Sequence, residues 1–207
     1  GMASDFWTLH LQQDFPDVMQ QLQASLQDLA RFEHAEASRT RDAGAFRAAE
    51  QWYRAYLAAF GDAADAADMN YQLAELLYEN GRYPEAIDEY ERALELNSND
   101  ADFLAEMSNA LIYTGRSEQA VAQLKKAMRM NPRHPSWYWE LLGFAYYEVG
   151  QYKEVLAILK QDNKPWFKTH RTLAAVYVRL NILEEARAKV SKIFEKNPYR
   201  TTGGFGE

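Results

Sequence analysis

Residues 139–146 read Trp139-Glu140-Leu141-Leu142-Gly143-Phe144-Ala145-Tyr146, which contains the pattern W-x2-L-G-x2-Y. A glycine inside an apolar, helix-forming stretch lowers helix propensity, so it indicates a place where another helix comes close. The stretch therefore predicts a helix that packs tightly against its neighbours. The pattern as a whole is typical of the first helix of a repeated helical hairpin.

The features of this hairpin recur at a fixed interval along the chain. Gly115 follows Gly81 after thirty-four residues, and Ala120 follows Ala86 at the same interval. Each glycine lies between two stretches with helical spacing of apolar residues, so each marks the turn of a hairpin. A period of this length indicates a stack of helical hairpins.

The third unit departs from this period. Asn181 follows Gly150 after 31 residues, which is shorter by about one helical turn. Asn181 stands at the turn in place of glycine, and asparagine tolerates the left-handed backbone conformation next best. The stretch Asn163-Lys164-Pro165-Trp166 predicts a tight link after a shortened helix. The shortening either changes the curvature of the stack, which we favour, or places Trp166 at the edge of a groove.

The period, the turn glycines and the small residues resemble those of the tetratricopeptide repeat family. The resemblance covers four consecutive units, at residues 67–100, 101–135, 136–166 and 167–198, with a weaker unit before them. It implies an all-α fold, a right-handed α-solenoid of antiparallel helix hairpins with about ten helices. It also implies close helix packing at the small residues of each unit, which are Ala74, Ala86, Ser108, Ala120, Gly143, Ala174 and Ala186. The segment from Tyr56 to Tyr90 is also similar to bacterial envelope-associated repeat proteins.

Residues 1–66 are predicted to form capping helices and a degenerate repeat, and residues 199–207 a flexible tail, all within one continuous domain. Pro16 and Asp17 are typical of a helix start. An apolar stripe follows at helical spacing and is expected to cover the open end of the stack. It consists of Val18, Met19, Leu22, Leu26, Leu29 and Phe32. Asp42-Ala43-Gly44 predicts a turn before the next helix.

The composition excludes several classes of protein and site. The 207 residues include no cysteine, which excludes disulfides, thiolate metal ligands and cysteine nucleophiles. The net charge of −7 argues against binding to nucleic-acid phosphates. No apolar run is as long as a membrane-spanning helix, which requires about 18 residues. The histidines have no metal-binding spacing, and no nucleophile elbow, phosphate-binding loop or dinucleotide-binding motif is present. We therefore expect no enzymatic activity, no metal and no cofactor.

The first residues bear on the cellular compartment. Gly1 before Met2 is typical of the remnant left when a purification tag is removed. No secretory signal follows Met2, so a cytoplasmic protein is expected if Met2 is the native start. If the chain was trimmed at this end, a periplasmic location stays open.

The charges are unevenly distributed. Residues 61–110 carry a net charge of −11, whereas residues 164–200 carry +6. Such runs usually belong to solvated helix faces, which is the interpretation we favour. The alternative is a polarised scaffold that steers a partner or stacks head to tail.

In tetratricopeptide proteins the first helix of every unit lines the concave side. The resemblance therefore implies a peptide-binding groove formed by Tyr71, Gln72, Glu75, Tyr78, Glu106, Asn109, Tyr113, Trp137, Leu141, Phe144, Tyr147, Lys168 and Arg171. In chain order these run from acidic through aromatic to basic, which fits a peptide with a basic end, an apolar middle and an acidic end. A second interpretation stays open, in which the aromatic residues pack against the second helix of the hairpin or against the next hairpin. The carboxylate clamp of some family members is not expected, because the matching positions hold acids such as Asp68 and Asp102.

The resemblance implies a non-enzymatic scaffold that binds another protein or a peptide. Two alternatives are a chaperone-like holder of a client protein and a scaffold that self-assembles through oppositely charged ends. The expected partner is a protein and not nucleic acid, no membrane span is expected, and the chain is expected to be a monomer or a weak homo-oligomer.

Overall fold

The computed structural model describes residues 15–159 and 167–196, without the side chains of 167–169 and 193–196. Ten α-helices and no strand make up this part of the chain, which confirms the expected all-α fold. The helices are α1 (Pro16–Thr40), α2 (Ala43–Phe60), α3 (Ala66–Glu79), α4 (Tyr83–Leu96), α5 (Ala101–Tyr113), α6 (Ser117–Met130), α7 (Trp137–Glu148), α8 (Tyr152–Leu159), α9 (Phe167–Arg179) and α10 (Leu183–Lys196). The predictions for residues 163–166 and 199–207 fall outside the described residues.

The chain divides into two compact units, Gly1–Phe103 (unit 1) and Leu104–Glu207 (unit 2). In unit 1, α1 packs on α2, α2 on α3, and α3 on α4. In unit 2, α6 packs on α7, α7 on α8, and α9 on α7, α8 and α10. The pairs α1–α2, α3–α4, α7–α8 and α9–α10 thus pack as hairpins within their units. The repeat boundaries and the single continuous domain stay predictions.

The turns inside the hairpins use the left-handed backbone conformation at one residue each. The φ angle is +75° at Gly81, +76° at Gly115, +74° at Gly150 and +60° at Asn181. In all four turns the amide of the next residue donates a hydrogen bond to the carbonyl five positions back, at N–O distances of 2.8 or 2.9 Å. This bond closes a Schellman-type helix end. The predicted turn residues are confirmed, and asparagine serves in the fourth turn because it tolerates positive φ.

The small residues of the repeat lie where neighbouring helices come close. All seven that the sequence predicts at these contacts are buried. At Gly143, an added Cβ would lie 2.6 Å from Cδ2 of Leu159, which is closer than van der Waals contact allows. Helix α8 therefore packs directly on the backbone of α7.

The predicted turn at residues 42–44 is wrong, because α2 already begins at Ala43. The carboxylate of Asp42 accepts a hydrogen bond from the amide of Ala45 at 2.9 Å and caps the first turn of the helix. The chain changes direction one step earlier, at Arg41, whose φ of 57° is left-handed.

Helix α1 begins at Pro16 as predicted, but its buried side differs from the predicted stripe. Of the six stripe residues, Met19 is buried, Leu26 is half-buried and the other four are exposed. The buried side is completed by Ala30, His34 and Ala37. Alanines at this contact let α1 and α2 approach closely, whereas the large stripe residues would hold them apart. The expectation that this stripe covers the open end of the stack is therefore wrong for its four exposed residues.

Candidate functional site

The predicted groove residues lie on the first helix of each hairpin. The four within residues 71–78 lie on α3 in unit 1, and the rest lie on α5, α7 and α9 in unit 2. Tyr113 and Arg171 are exposed, and the others with a described side chain are half-buried. Lys168 lies on α9, but its side chain is outside the described part of the chain. Among the half-buried members, the contacts of each residue decide what it can do.

The tyrosines of α3 are packed against other rings of unit 1. The ring of Tyr71 is stacked on that of Phe103, with centroids 4.5 Å apart and planes 11° apart, and its centroid lies 5.9 Å from that of Tyr90. The ring of Tyr78 lies 5.3 Å from that of Tyr83 on α4. In unit 1 the aromatic part of the predicted groove thus serves packing between helices, which was the second interpretation of the sequence.

The carboxylates of α3 also have partners inside unit 1. Glu75 accepts a hydrogen bond from the hydroxyl of Tyr90. Burial raises the pKa of the Glu75 carboxyl, while the bond from Tyr90 opposes that rise. Glu79 accepts from Nη1 of Arg41 at 3.3 Å and lies 3.6 Å from Nε2 of His34. Gln72 lies beside these acids on the same helix and is half-buried.

His34 connects α1 to two neighbouring helices. Its Nδ1 lies 3.1 Å from the hydroxyl oxygen of Tyr53 on α2, and its Nε2 faces Glu79 on α3. Burial lowers the pKa of His34, and the nearby carboxylate of Glu79 opposes this. Burial also raises the pKa of the Tyr53 hydroxyl. These groups link α1, α2 and α3.

Sequence reasoning missed the arginines that neutralise part of the acidic stretch. Arg31 pairs with Asp68 at 3.5 Å, and Arg41 pairs with Glu79 at 3.3 Å. Both arginines lie outside residues 61–110, so a net charge counted over that segment does not include them. The face of α3 is therefore less acidic than the sequence count indicates.

Unit 1 also contains a shallow cavity of about 320 Å³ between α2, α3 and α4. It is lined by Arg54, Leu57, Gly61, Asn70, Glu89 and Arg92. Oε1 of the buried Glu89 accepts from Arg54 at 3.3 Å and from Arg92 at 2.6 Å. Since Arg54 belongs to α2 and Glu89 to α4, this cluster links two helices that are not consecutive in the chain, and we interpret it as structural.

The aromatic residues of unit 2 are arranged differently from those of unit 1. Tyr113, at the end of α5, is 52% exposed, and its ring centroid lies 6.3 Å from that of Phe144 on α7. Trp137 lies with its ring 4.3 Å from that of Tyr138, at the start of α7. The ring of Tyr147 lies 5.6 Å from that of Tyr152 on α8. The other predicted members on α5 and α7 are half-buried, namely Glu106, Asn109 and Leu141.

Basic side chains lie on α9 in the same unit. Arg171 is exposed, as is Arg179 at the end of the same helix. A hydrogen bond with Tyr147 raises the pKa of Arg179, which ties this arginine to the aromatic residues of α7. Val178, next to Arg179, is 56% exposed. Unit 2 thus presents aromatic and aliphatic side chains with positive charge beside them.

Two features are absent from residues 15–159 and 167–196. In this part of the chain, no three histidine, aspartate or glutamate side chains come together in a way that would hold a metal ion. None of the helices described is both long and apolar enough to pass through a membrane.

Two models of the tetratricopeptide repeat match the sequence, one at residues 34–101 and one at residues 77–141. Together they match more than half of the chain. No curated protein sequence matches it significantly.

Several solved structures have a similar fold. BtubC (BKLC) from P. vanneervenii superimposes with a TM-score of 0.71 at 18% identity, over 97% of this chain and 89% of that one. MamA from Desulfovibrio magneticus RS-1 gives 0.66 at 19% identity, over 86% of this chain and 98% of that one. A thermophilic TPR protein of Thermus thermophilus gives 0.65 at 22% identity, over 84% of this chain and 92% of that one. At these identities the likeness shows a shared helical-repeat fold.

Proposed function

Because the chain belongs to the tetratricopeptide repeat family, whose fold generally serves as a protein-interaction scaffold, we propose that it binds a segment of another protein on the first helices of unit 2. The proposed binding surface, named the aromatic face below, consists of Tyr113, Phe144 and Tyr147, of Arg179, which is hydrogen-bonded to Tyr147, and of Arg171 on the same helix as Arg179. Tetratricopeptide proteins are generally not enzymes, and we extend that to this chain.

The exposure of Tyr113 carries this proposal. A tyrosine ring that is 52% exposed and lies 6.3 Å from a second aromatic ring leaves apolar area in contact with water. Aromatic side chains are enriched among the residues that contribute most to binding at protein interfaces. A partner that places an aliphatic or aromatic side chain between Tyr113 and Phe144 would remove this area from water and gain free energy.

The charges next to the aromatic face determine which partner fits. Arg171 and Arg179 are both exposed, and Arg179 already donates toward Tyr147. A guanidinium group pairs well with a carboxylate, since it presents donors in a planar fork. The partner segment we propose is therefore apolar in its middle and acidic at the end that contacts α9.

The α3 face of unit 1 has weaker support as a binding surface. Its tyrosines are stacked on rings of their own unit, and Glu79 is paired with Arg41. A basic group on a partner would have to compete with these internal arginines. We keep the proposal that the α3 face contacts a basic segment as the weaker half of the predicted groove.

Binding to the aromatic face can be measured with two synthetic peptides that share a core of leucine and phenylalanine. One peptide ends in aspartate and glutamate, and the other ends in lysine and arginine. Fluorescence anisotropy should show tighter binding of the acidic peptide to the wild-type chain. Tyr113→Ala should weaken that binding about tenfold, because it removes an exposed aromatic contact. Arg171→Ala should reduce the difference between the two peptides.

Leu96→Ala provides the matched control, since Leu96 is 54% exposed and lies at the end of α4 in unit 1, whereas the aromatic face belongs to unit 2. It should bind the acidic peptide as the wild type does. If Tyr113→Ala and the wild type had equal affinity for it, the aromatic face would not be the binding surface.

The two alternative functions predict other results. A chaperone-like holder would suppress the aggregation of unrelated unfolded proteins, which light scattering measures. Self-assembly through charged ends would give larger particles at low salt than at high salt. Asp68 pairs with Arg31 and Glu79 pairs with Arg41. These pairs reduce the negative charge that could drive self-assembly.

A further inference from the structure

Helix α1 carries a row of large apolar side chains that face water. They lie on a different side of the helix from its buried residues Met19, Ala30, His34 and Ala37. Their exposed fractions are 56% for Phe15, 54% for Val18, 44% for Leu22, 40% for Leu29 and 65% for Phe32. A contiguous exposed row of this kind marks an interaction surface, whereas single exposed apolar residues are ordinary.

The spacing of this row has a regular period. Together with Ser25, its residues follow one another at alternating steps of three and four positions, from 15 to 18, 22, 25, 29 and 32. This is the spacing of the a and d positions of a coiled coil, and it keeps one narrow seam on a single side of a helix. We name these six residues the α1 seam.

We propose that the α1 seam is the interface of a homodimer in which the α1 helices of two copies lie antiparallel. In an antiparallel pair each a position meets a d position of the other helix. The seam then fits itself in one register, with Phe15 against Phe32, Val18 against Leu29, and Leu22 against Ser25 of the second copy. An interface that repeats its own contacts by a twofold axis is the commonest kind of homo-oligomer contact.

The side chains next to the seam agree with this register. Residues 15–32 contain three charged side chains, Asp17, Asp28 and Arg31. Arg31 points toward α3, where it pairs with Asp68. In the register above, Asp28 comes close to Gln21 of the second copy, so an amide meets a carboxylate and no like charges are brought together. The helices α2 and α3 contact the other side of α1, through Tyr53 and Asp68, and leave the seam accessible.

The size of the seam sets the strength of the dimer. Eighteen residues of helix span about 27 Å, and pairing two of them along this length buries on the order of 1,000 Å² in total, near the lower limit for a specific interface. The dimer should therefore be weak and should form as protein concentration rises. This proposal is independent of the aromatic face in unit 2.

Analytical ultracentrifugation of the full chain over a wide concentration range tests the dimer. The wild type should change from monomer to dimer, and Leu22→Gln with Leu29→Gln should raise the dissociation constant at least about tenfold for each substitution. Both leucines are partly exposed in one chain, so circular dichroism should show an unchanged fold. Leu96→Gln, which alters an exposed leucine outside the seam, should dimerise like the wild type.

A wild type that stays monomeric at every concentration would overturn the proposal. Coverage of the seam by residues 1–14 of the same chain would likewise keep the protein monomeric. A dimer that the two glutamine substitutions leave unchanged would overturn it as well, since the contact would then lie elsewhere.

Single cysteines test the antiparallel register, because the natural sequence has none. Val18→Cys and Leu29→Cys variants are mixed and oxidised, and the products are separated by non-reducing electrophoresis and mass spectrometry. Antiparallel pairing should give the mixed disulfide in excess over both homodisulfides. An excess of the homodisulfides, or no cross-link at all, would overturn the proposed arrangement.

Discussion

The face of α3 in unit 1 and the face of α5 and α7 in unit 2 both belong to first helices of the predicted repeats, yet their aromatic residues are packed differently. On α3, the ring of Tyr71 is stacked at 4.5 Å on Phe103, and Glu75 accepts a hydrogen bond from Tyr90. On α5, Tyr113 is 52% exposed, and its ring centroid lies 6.3 Å from that of Phe144. The position of a residue in the repeat thus does not fix its exposure, which also depends on the side chains packed around it.

The largest loss of stability is expected from disrupting the contact between α7 and α8, because α7 carries part of the unit 2 face. Gly143→Leu places a side chain where a Cβ alone would already lie 2.6 Å from Leu159, so overpacking should cost about 3 kcal/mol of unfolding free energy. Urea denaturation measures this loss. Gly143→Ala is the graded control and should cost less. Adding Leu159→Ala to Gly143→Leu should recover part of the loss, and its failure to do so would mean that another contact limits the space.

The next largest effect is the difference in stability loss between a tyrosine of the α3 face and a tyrosine of the unit 2 face. Tyr71→Ala should cost about 2 kcal/mol of unfolding free energy, below the roughly 3–5 kcal/mol of a fully buried aromatic residue. Tyr113→Ala should cost about 0.5 kcal/mol, since exposed substitutions have small effects on stability. Thermal and urea unfolding of both variants measure the difference. Equal losses would show that Tyr113 is as much a packing residue as Tyr71, and the contrast between the faces would disappear.

A smaller effect should be the same in both units. Gly81→Ala and Gly150→Ala should each cost about 1 kcal/mol, because alanine is strained at the positive φ of these turns. In neither turn does an added Cβ meet another atom within 4 Å, so strain alone acts. Gly150→Asn should cost less, as Asn181 already occupies the same kind of turn. Unequal losses at residues 81 and 150 would show that the units differ in their turns as well as in their faces.

The smallest effect is a dependence of unit 1 on pH. Burial lowers the pKa of His34 below its ordinary value of 6.5, although Glu79 opposes this, so the unfolded chain takes up the proton at a higher pH than the folded chain. The stability that neutral His34 contributes is therefore complete above pH 6.5 and is lost as the pH falls through the lower pKa of the folded state. Hydrogen exchange should show that α1 to α3 lose protection before α6 to α8, whose sequences contain no histidine, between neutral and mildly acidic pH.

His34→Gln is the control for this last effect. It removes the titrating group, so the stability of unit 1 should depend less on pH than in the wild type. If the wild type and the variant had identical pH profiles, the dependence would belong to another group, such as Glu75, whose pKa is raised by burial.

Much of the fold could be predicted because it depends on short-range properties of the chain. A residue that needs positive φ is glycine or asparagine in any context, so Gly81 and Asn181 could be recognised as turns. A small residue in the middle of a helix indicates a close helix contact, so Gly143 could be recognised as well. The helix start at Asp42 was missed because Asp is common both in turns and as a helix cap.

The candidate site could be predicted only as a set of accessible positions. That Tyr71 is stacked and Tyr113 is exposed depends on Phe103 and on the helices around each ring, which no local pattern specifies. The same holds for α1, where the apolar stripe was visible but its orientation was not. Which side of α1 meets α2 depends on how closely Ala30 and Ala37 let the helices approach.

The sequence by itself determined that this protein is a series of helical hairpins with left-handed turns, because period and backbone conformation are properties of a few neighbouring residues. Tertiary structure alone decided which acids are neutralised by arginines of distant helices, which tyrosines are packed and which apolar side of α1 remains in water. Those outcomes depend on the distances between residues far apart in the chain, and such distances exist only once the helices have packed.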